Sequence, residues 1–316
     1  QFLELPNGVP SHDTFGRVFR CLDTAEFQAC LSKWVEHLQF SLRGKTISID
    51  GKTLRGSHDN ASGQKPLHIV NAWAKHVSFC LGSISVDDKS NEIPAVQELL
   101  SILNLKGGVV TADAMHCQKE TVKKIIEKEA DYVIQVKGNQ QALVDSIKSE
   151  MEHYESENYA SPKVRMQTVT ERNRTREEVR TCIVAPAPAE LKSRWTGLQT
   201  IGLICRTRTL ADGTEQTEVS HFISSLAPKV RQHMQHLRNH WSVENSLHHT
   251  LDVTFAEDAS RIRKGNGPEI ISAFRRLSLS ILKSDTTIKD NVRGKRLLAG
   301  WNLNNLKKIL SAFQAT

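Results

Sequence analysis

Two short runs, VVTAD at 109–113 and DYVIQV at 131–136, enclose a helical pattern in which Val122, Ile125 and Ile126 recur at three- and four-residue steps. A strand, a helix and a second strand so close together leave little choice of topology. The two strands must pair in parallel through a right-handed crossover. An earlier run, KTISID at 45–50, alternates Ile47 and Ile49 against Thr46, Ser48 and Asp50, the period-two signature of a strand. Both it and VVTAD end on an aspartate. The expectation is an α/β or mixed sheet with Asp50 and Asp113 at the carboxyl ends of neighbouring core strands, where such sheets hold ligands. Strands lie about 4.8 Å apart, so two carboxylates placed this way can share one cation or two.

The segment after Asp50, GKTLRGS, is expected to be a cationic turn, but it lacks the spacing of a Walker A loop. LHIVNAWA and VSFCLGSISV have hairpin character with a turn near Lys75 and His76, and KSNEIPAVQELLSILN carries Ile93, Val96, Leu99, Leu100 and Leu103 at helical spacing. Upstream, Ser11 is a plausible N-cap for a helix to Leu22, and a second helix follows Asp23 or Thr24. These two helices are read as packing elements rather than a DNA-reading pair. From about Asn139 to Lys229 a helix gives way to several strand-like runs. The expected organisation is an N-terminal helical segment at 1–43, the end of a truncated domain; a core at 44–138 and 230–316; and a β-rich insertion at 139–229. The insertion carries Arg172, Arg174, Arg176 and Arg180, which fit either a nucleic-acid groove or a solvated face balanced by Glu171, Glu177 and Glu178.

The chain has 316 residues, 39% hydrophobic and 24% charged, enough for a sizeable core. No apolar run approaches the length of a membrane span, and no signal peptide is visible. The six cysteines form no CxxC pair, which argues for reduced thiols in a cytoplasmic protein. The net charge of +7 is uneven. From Ser260 onward there are twelve Lys or Arg against Glu269, Asp285 and Asp290, so the rest of the chain is slightly acidic. A basic tail on such a body fits a polyanion partner or the solvated faces of terminal helices.

A third acid stands out on a helix expected from Ala227 to Leu251. Leu237, Trp241, Glu244, His248 and Leu251 follow at steps of four, three, four and three, which places Glu244 in a mostly apolar stripe. A buried carboxylate needs a partner: an intrachain cation such as Arg238 or His248, or a metal. Two aspartates and a glutamate suit hard divalent cations and the two-ion clamp of phosphoryl transfer. Zinc is disfavoured, since HHT at 248–250 is not HExxH and no cysteine pair supports it.

Five blocks then resemble one family: IDGKTLRGS at 49–57, KSNEIPA at 89–95, VVTADAMHCQKE at 109–120, DYVIQVKGNQ at 131–140 and HWSVENSLHHTLDVTFAEDASRIR at 240–263, with PNGVPSHDTFGRVF at 6–19 as a sixth. They resemble the H-repeat-associated insertion-sequence transposases, DDE enzymes with a ribonuclease H-like catalytic core. The resemblance implies a mixed sheet flanked by helices, with a β-rich insertion before the last catalytic helix. It makes Asp50, Asp113 and Glu244 the catalytic, metal-binding triad for two Mg²⁺ ions, with Mn²⁺ able to substitute. It implies strand cleavage and strand transfer of an insertion element, on element ends and target DNA. A homodimer on DNA, nucleoid-associated in the bacterial cytoplasm and without a membrane or small-molecule substrate, is the expected assembly. Lys52, Arg55, Lys137, Asn139 and Gln140 are expected to position phosphates, with Arg174, Arg176, Arg238, Arg261 and Arg263 as further DNA contacts. Relatives often carry a tyrosine, an arginine and a lysine at steps of minus seven, minus four and plus seven from the glutamate; here Leu237, His240 and Leu251 stand there. That departure, and the absence of the segment that usually precedes PNGVPSHDTF, keep two alternatives open. One is a DNA-binding remnant without catalysis, and the other a nuclease that cuts without joining.

Overall fold

The computed structural model describes residues 5–314 apart from 39, 60–62, 64, 87–90, 174–175 and 211. Two helices lead: α1 (His12–Cys21), whose N-cap Ser11 accepts from the Thr14 amide, and α2 (Thr24–His37), capped by Asp23. They pack through Phe19 and Phe27, which both meet the ring of Phe274.

The body is one nine-stranded sheet. Its first five strands are β1 (Thr46–Leu54), β2 (Leu67–Ala74), β3 (Phe79–Ser85), β4 (Val109–Ala112) and β5 (Asp131–Val136). They lie in the order β3-β2-β1-β4-β5. β1, β2 and β3 form an antiparallel meander, while β1, β4 and β5 are parallel. That is the ribonuclease H-like arrangement. The crossover into β4 is α3 (Glu92–Ile102), and the crossover into β5 is α4 (Lys119–Glu127). Both contribute to the main core, where Val96, Leu99, Val122 and Ile125 join Ile47, Ile49, Val110 and Ile134 of the sheet. The alternate residues Val109 and Val133 point to the other face and pack with Leu237. These central strands are buried on both sides, which is why they read as short continuous apolar runs.

After α5 (Gln141–Ser156) the chain runs through β6 (Arg165–Asn173), β7 (Arg176–Pro186), α6 (Ala189–Arg194), β8 (Thr200–Thr209) and β9 (Glu215–Ser224). The insertion strands do not form a separate sheet. β9 pairs antiparallel with β5, so the order continues β5-β9-β8-β7-β6. Then come α7 (Val230–His240), a π-helical turn (Glu244–His248), α8 (His249–Phe255), α9 (Gly267–Ser284), α10 (Val292–Trp301) and α11 (Leu303–Gln314).

Two expectations are corrected. β1 does not end at Asp50. Its parallel pairing to β4 stops at Ile49 opposite Ala112, but its antiparallel pairing to β2 continues to Leu54. GKTL is therefore strand and not turn, because Lys52 and Leu54 are buried and β2 supplies hydrogen bonds throughout. Asp50 lies where β1 has lost its neighbour on one side, at the mouth of a gap. Secondly, Glu244 is not buried, its side chain being 66% exposed. Val243, Leu247 and Leu251, at steps of four, pack with Trp73, Cys80 and Leu279, which leaves Glu244 at the rim. Trp241 is exposed as well.

Candidate active site

Each acid is presented by a different element. Asp50 projects from β1 and is 19% exposed; its Oδ1 accepts from the Gly51 amide at 3.0 Å. Asp113 follows β4 directly, with extended backbone, and opens the 3-10 turn Ala114–His116. Glu244 is the first residue of the π-helical turn. Such a widened turn inserts one residue into the helical phase and is common at functional sites.

Asp50, Glu244 and His248 form a tight group, with one donor atom from each lying within 4.8 Å of the others. His248 Nδ1 is 3.6 Å from Asp50 Oδ2 and 3.6 Å from Glu244 Oε2. It is thus the neighbour that the helical spacing offered for Glu244. Asp113 stands outside this group. His240 Nε2 lies 3.3 Å from Asp113 Oδ1, and His240 Nδ1 lies 3.1 Å from the Thr111 hydroxyl. A carboxylate only accepts, so Nε2–H donates to Asp113 and the other nitrogen is left for Thr111. The hydrogen bond from His240 holds the Asp113 carboxyl below its ordinary range against an opposing effect of burial, and the charges of His240, Lys137 and His116 add to it.

Asp50 goes the other way, its carboxyl being pushed up to about 7. Burial is the largest cause. His240 opposes it, and the negative charges of Asp113 and Glu244 add to it. The three acids therefore share one electrostatic neighbourhood, as carboxylates around a shared cation position must. His248 is lowered to about 3, first by burial and then by the charges of Arg276, Lys52 and His68, so its imidazole is neutral at physiological pH.

The other predicted positions divide. Lys52 is buried, and its Nζ donates to Asp252 at 2.8 Å and to Asp258 at 3.2 Å. It fastens β1 to α8 and the loop beyond and does not face an open groove, because two acids already occupy its donors. Asn139 donates to the Ala114 carbonyl and Gln140 to the Cys117 carbonyl. Their amides brace the turn that follows Asp113. Lys137 is exposed beside Asp113. Arg55 is 85% exposed, with Asp258 at 3.6 Å. Arg261 is exposed, while Arg263 donates to the Gly56 carbonyl at 3.3 Å. Arg238 pairs with Glu171 at 2.5 Å. Arg176 opens β7, and Arg174 lies outside the described residues.

Sequence reasoning offered His248 as a partner for Glu244 and noted His240, but gave neither a place beside the aspartates, and it missed Glu92. His240 and His248 flank Glu244 at four residues on either side, a helical spacing that offered the signal. Glu92, at the start of α3, lies 2.6 Å from His68 Nε2 and 3.3 Å from His116 Nε2. These two hydrogen-bonding histidines depress its carboxyl to about 2. No spacing in the chain announces that cluster.

Glu244 also lines a cleft of about 300 Å³ between α7 and the insertion strands, with Arg180, Arg206, Arg208, Arg238 and Trp241. The Arg206 guanidinium sits 4.7 Å over the Trp241 ring. A larger hollow of about 530 Å³, beside Leu42, Gly107 and Glu129, lies at the amino ends of β4 and β5 and includes none of the three acids.

Comparison with known proteins accords with this geometry. A family model described as a transposase DDE domain matches residues 41–309. The chain belongs to the DDE transposase family. A second model, described as associated with that domain, matches residues 1–35. Among curated relatives, the Escherichia coli K12 protein named "H repeat-associated putative transposase YhhI" is 36% identical over 98% of this chain and 83% of its own length. A Xanthobacter autotrophicus protein named only by its position beside dhlA is 37% identical over 71% of this chain and 75% of its own. A solved piggyBac transposase synaptic complex with hairpin DNA superposes loosely, at TM-score 0.42 and 12% identity over 96% of this chain and 59% of that one; strand order alone identifies the fold. Among the described residues no helix is long and apolar enough to cross a membrane.

Proposed function

We propose that this DDE transposase cuts and joins DNA at the ends of an insertion element, with Asp50, Asp113 and Glu244 as its catalytic acids and two Mg²⁺ ions, replaceable by Mn²⁺, as cofactors. The observation that carries the reading is geometric: Asp50 and Glu244, from different elements, bring donor atoms within 4.8 Å of each other and of His248, at the gap where β1 parts from β4 and Asp113 follows directly. The donor set fits divalent cations, being oxygen-rich, partly open and without a lysine or arginine ion-paired to any of the three acids among the described residues. Cations held there supply Lewis-acid polarisation of a phosphodiester.

The protein's own groups do the rest. Asp50, Asp113 and Glu244 would hold the cations, and His240 fixes the orientation of Asp113. Lys137 faces solvent beside Asp113 and suits a backbone phosphate, as do the exposed Arg55 and Arg261 further along the chain. Arg238, on α7, and Arg174, Arg176 and Arg263 are further DNA contacts in this reading. The working assembly is a homodimer on DNA in the bacterial nucleoid.

Purified protein, incubated with Mg²⁺ and DNA carrying the inverted repeats that flank its gene, should nick the ends and join them to target. Asp50→Asn, Asp113→Asn and Glu244→Gln should each lower the rate by roughly three orders of magnitude, comparable to removing a main electrostatic element of a site. Wild-type rates in all three would sink the assignment. Salt-dependent binding without cleavage would identify a remnant, and cleavage without joining a nuclease.

A further inference from the structure

We propose that His248 Nδ1 is a third donor, with Asp50 and Glu244, to one of the two cations, and that this nitrogen makes the two cation positions chemically unequal. The inference rests on the reading of these acids as a cation site, and it adds a ligand and a selectivity to it.

The separations are too long for hydrogen bonds and a little wider than those of donors closed on an ion. Nδ1 is 3.6 Å from each carboxylate, too long for a hydrogen bond. Around an ion with bonds of about 2.1 Å, adjacent donors sit about 3 Å apart and opposite donors about 4.2 Å apart. A group spread over 3.6 to 4.8 Å closes onto an ion by a small inward turn of Glu244, whose side chain is mostly exposed and free to move.

The imidazole itself points to a ligand. His248 is only 4% exposed, yet its Nε2 has no hydrogen-bond partner among the described residues. A buried nitrogen without a partner is costly, and the other nitrogen of the ring lies between two acids. One helical turn on, Asp252 carries a buried Oδ1 that likewise lacks a partner. His240 serves Asp113 instead, so the second position is left with oxygen donors only.

Ligand chemistry then separates the two. Carboxylates and water suit Mg²⁺ and Mn²⁺ alike, whereas imidazole favours the transition-metal ion. The Asp50–Glu244–His248 position should prefer Mn²⁺, and the Asp113 position should accept Mg²⁺.

The full chain, stripped of metal and titrated with Mn²⁺ alone, tests this by calorimetry and pulsed electron paramagnetic resonance. The expected spectrum shows a directly coordinated nitrogen that persists in His240→Gln and vanishes in His248→Ala. The latter should weaken Mn²⁺ by at least about tenfold and Mg²⁺ far less. Should His248→Ala fail to fold, ¹⁵N-histidine labelling of the unaltered protein must shift the nitrogen coupling. Mn²⁺ bound without nitrogen coupling, but lost in Asp50→Asn and Glu244→Gln, overturns the role of His248 and leaves the proposed function standing. Equal losses for both ions overturn the selectivity. No cation binding at all overturns both.

Discussion

Asp50 and Asn71 face each other across the β1–β2 ladder, and Asn71 ties the acid's strand to a buried arginine. The Asn71 amide donates to the Asp50 carbonyl at 3.4 Å, while its oxygen accepts from Arg276 Nε on α9. Arg276 also donates to Glu257 at 2.8 Å, and both are almost wholly buried, at 2% and 0% side-chain exposure. The helix that follows the site is thus anchored directly behind the first acid. Removing one partner leaves the other charged and buried, so Arg276→Met should cost about 3–5 kcal/mol. Urea unfolding would measure it, and Arg276→Met with Glu257→Gln should recover part of the loss.

Asp50 makes the cation-free protein sensitive to pH. Its carboxyl is raised from 3.8 to about 7, so between those values the folded state holds a proton that the unfolded chain has released. The contribution of Asp50 to stability must therefore fall as pH rises from about 4 through 7, by no more than about 4 kcal/mol. Asp50→Asn should raise the urea midpoint at pH 8 and leave it unchanged at pH 3. A variant no more stable than wild type at pH 8 would show that the Asp50 carboxyl is not the source of that slope.

Glu92 shows the opposite sign. Its carboxyl is depressed to about 2 by His116 and His68, so its contribution is present above about pH 4.5 and is lost as pH falls toward 2. Glu92→Gln should flatten that acid limb. The cluster also explains Gly51, where a β-carbon would overlap the His68 ring and the Glu92 carboxylate. Gly51→Ala should cost about 1–3 kcal/mol, measured at pH 7, and less in the Glu92→Ala background.

Lys52 and Lys137 carry the same charge into different work. Lys137→Ala should weaken DNA binding across all sequences and reduce the salt slope by about one, as loss of a single phosphate contact does. Lys52→Ala should leave the slope alone and lower stability instead, because Asp252 and Asp258 lose their shared cation. Binding isotherms at several salt concentrations separate the two.

Strand–helix–strand order and the two aspartates were legible because buried parallel strands are short, apolar and sharply bounded. The β-rich character of the insertion was legible too, but its attachment through β5 and β9 was not, since antiparallel edge pairing leaves no mark in either strand alone. Asp50 was expected at a strand end because an acid followed by glycine resembles a turn; only the continuing ladder to β2 reveals otherwise. Glu244 was expected in a buried stripe because regular α-helical steps were assumed through it. His248 was visible at the right spacing, yet nothing in the sequence says that its ring turns toward Asp50.

The π-helical turn makes competence at this position a matter of counting. Delete Asn245, inside that turn, and the rod would close up into ordinary coils, with its helicity by circular dichroism intact. Every side chain on one flank of the break would then swing through about a quarter-turn relative to the other. The glutamate would still be there, well solvated and well folded, but aimed past its companions. On the proposed reading of Glu244, a single lost codon would thus remove that acid from the group without unfolding the protein.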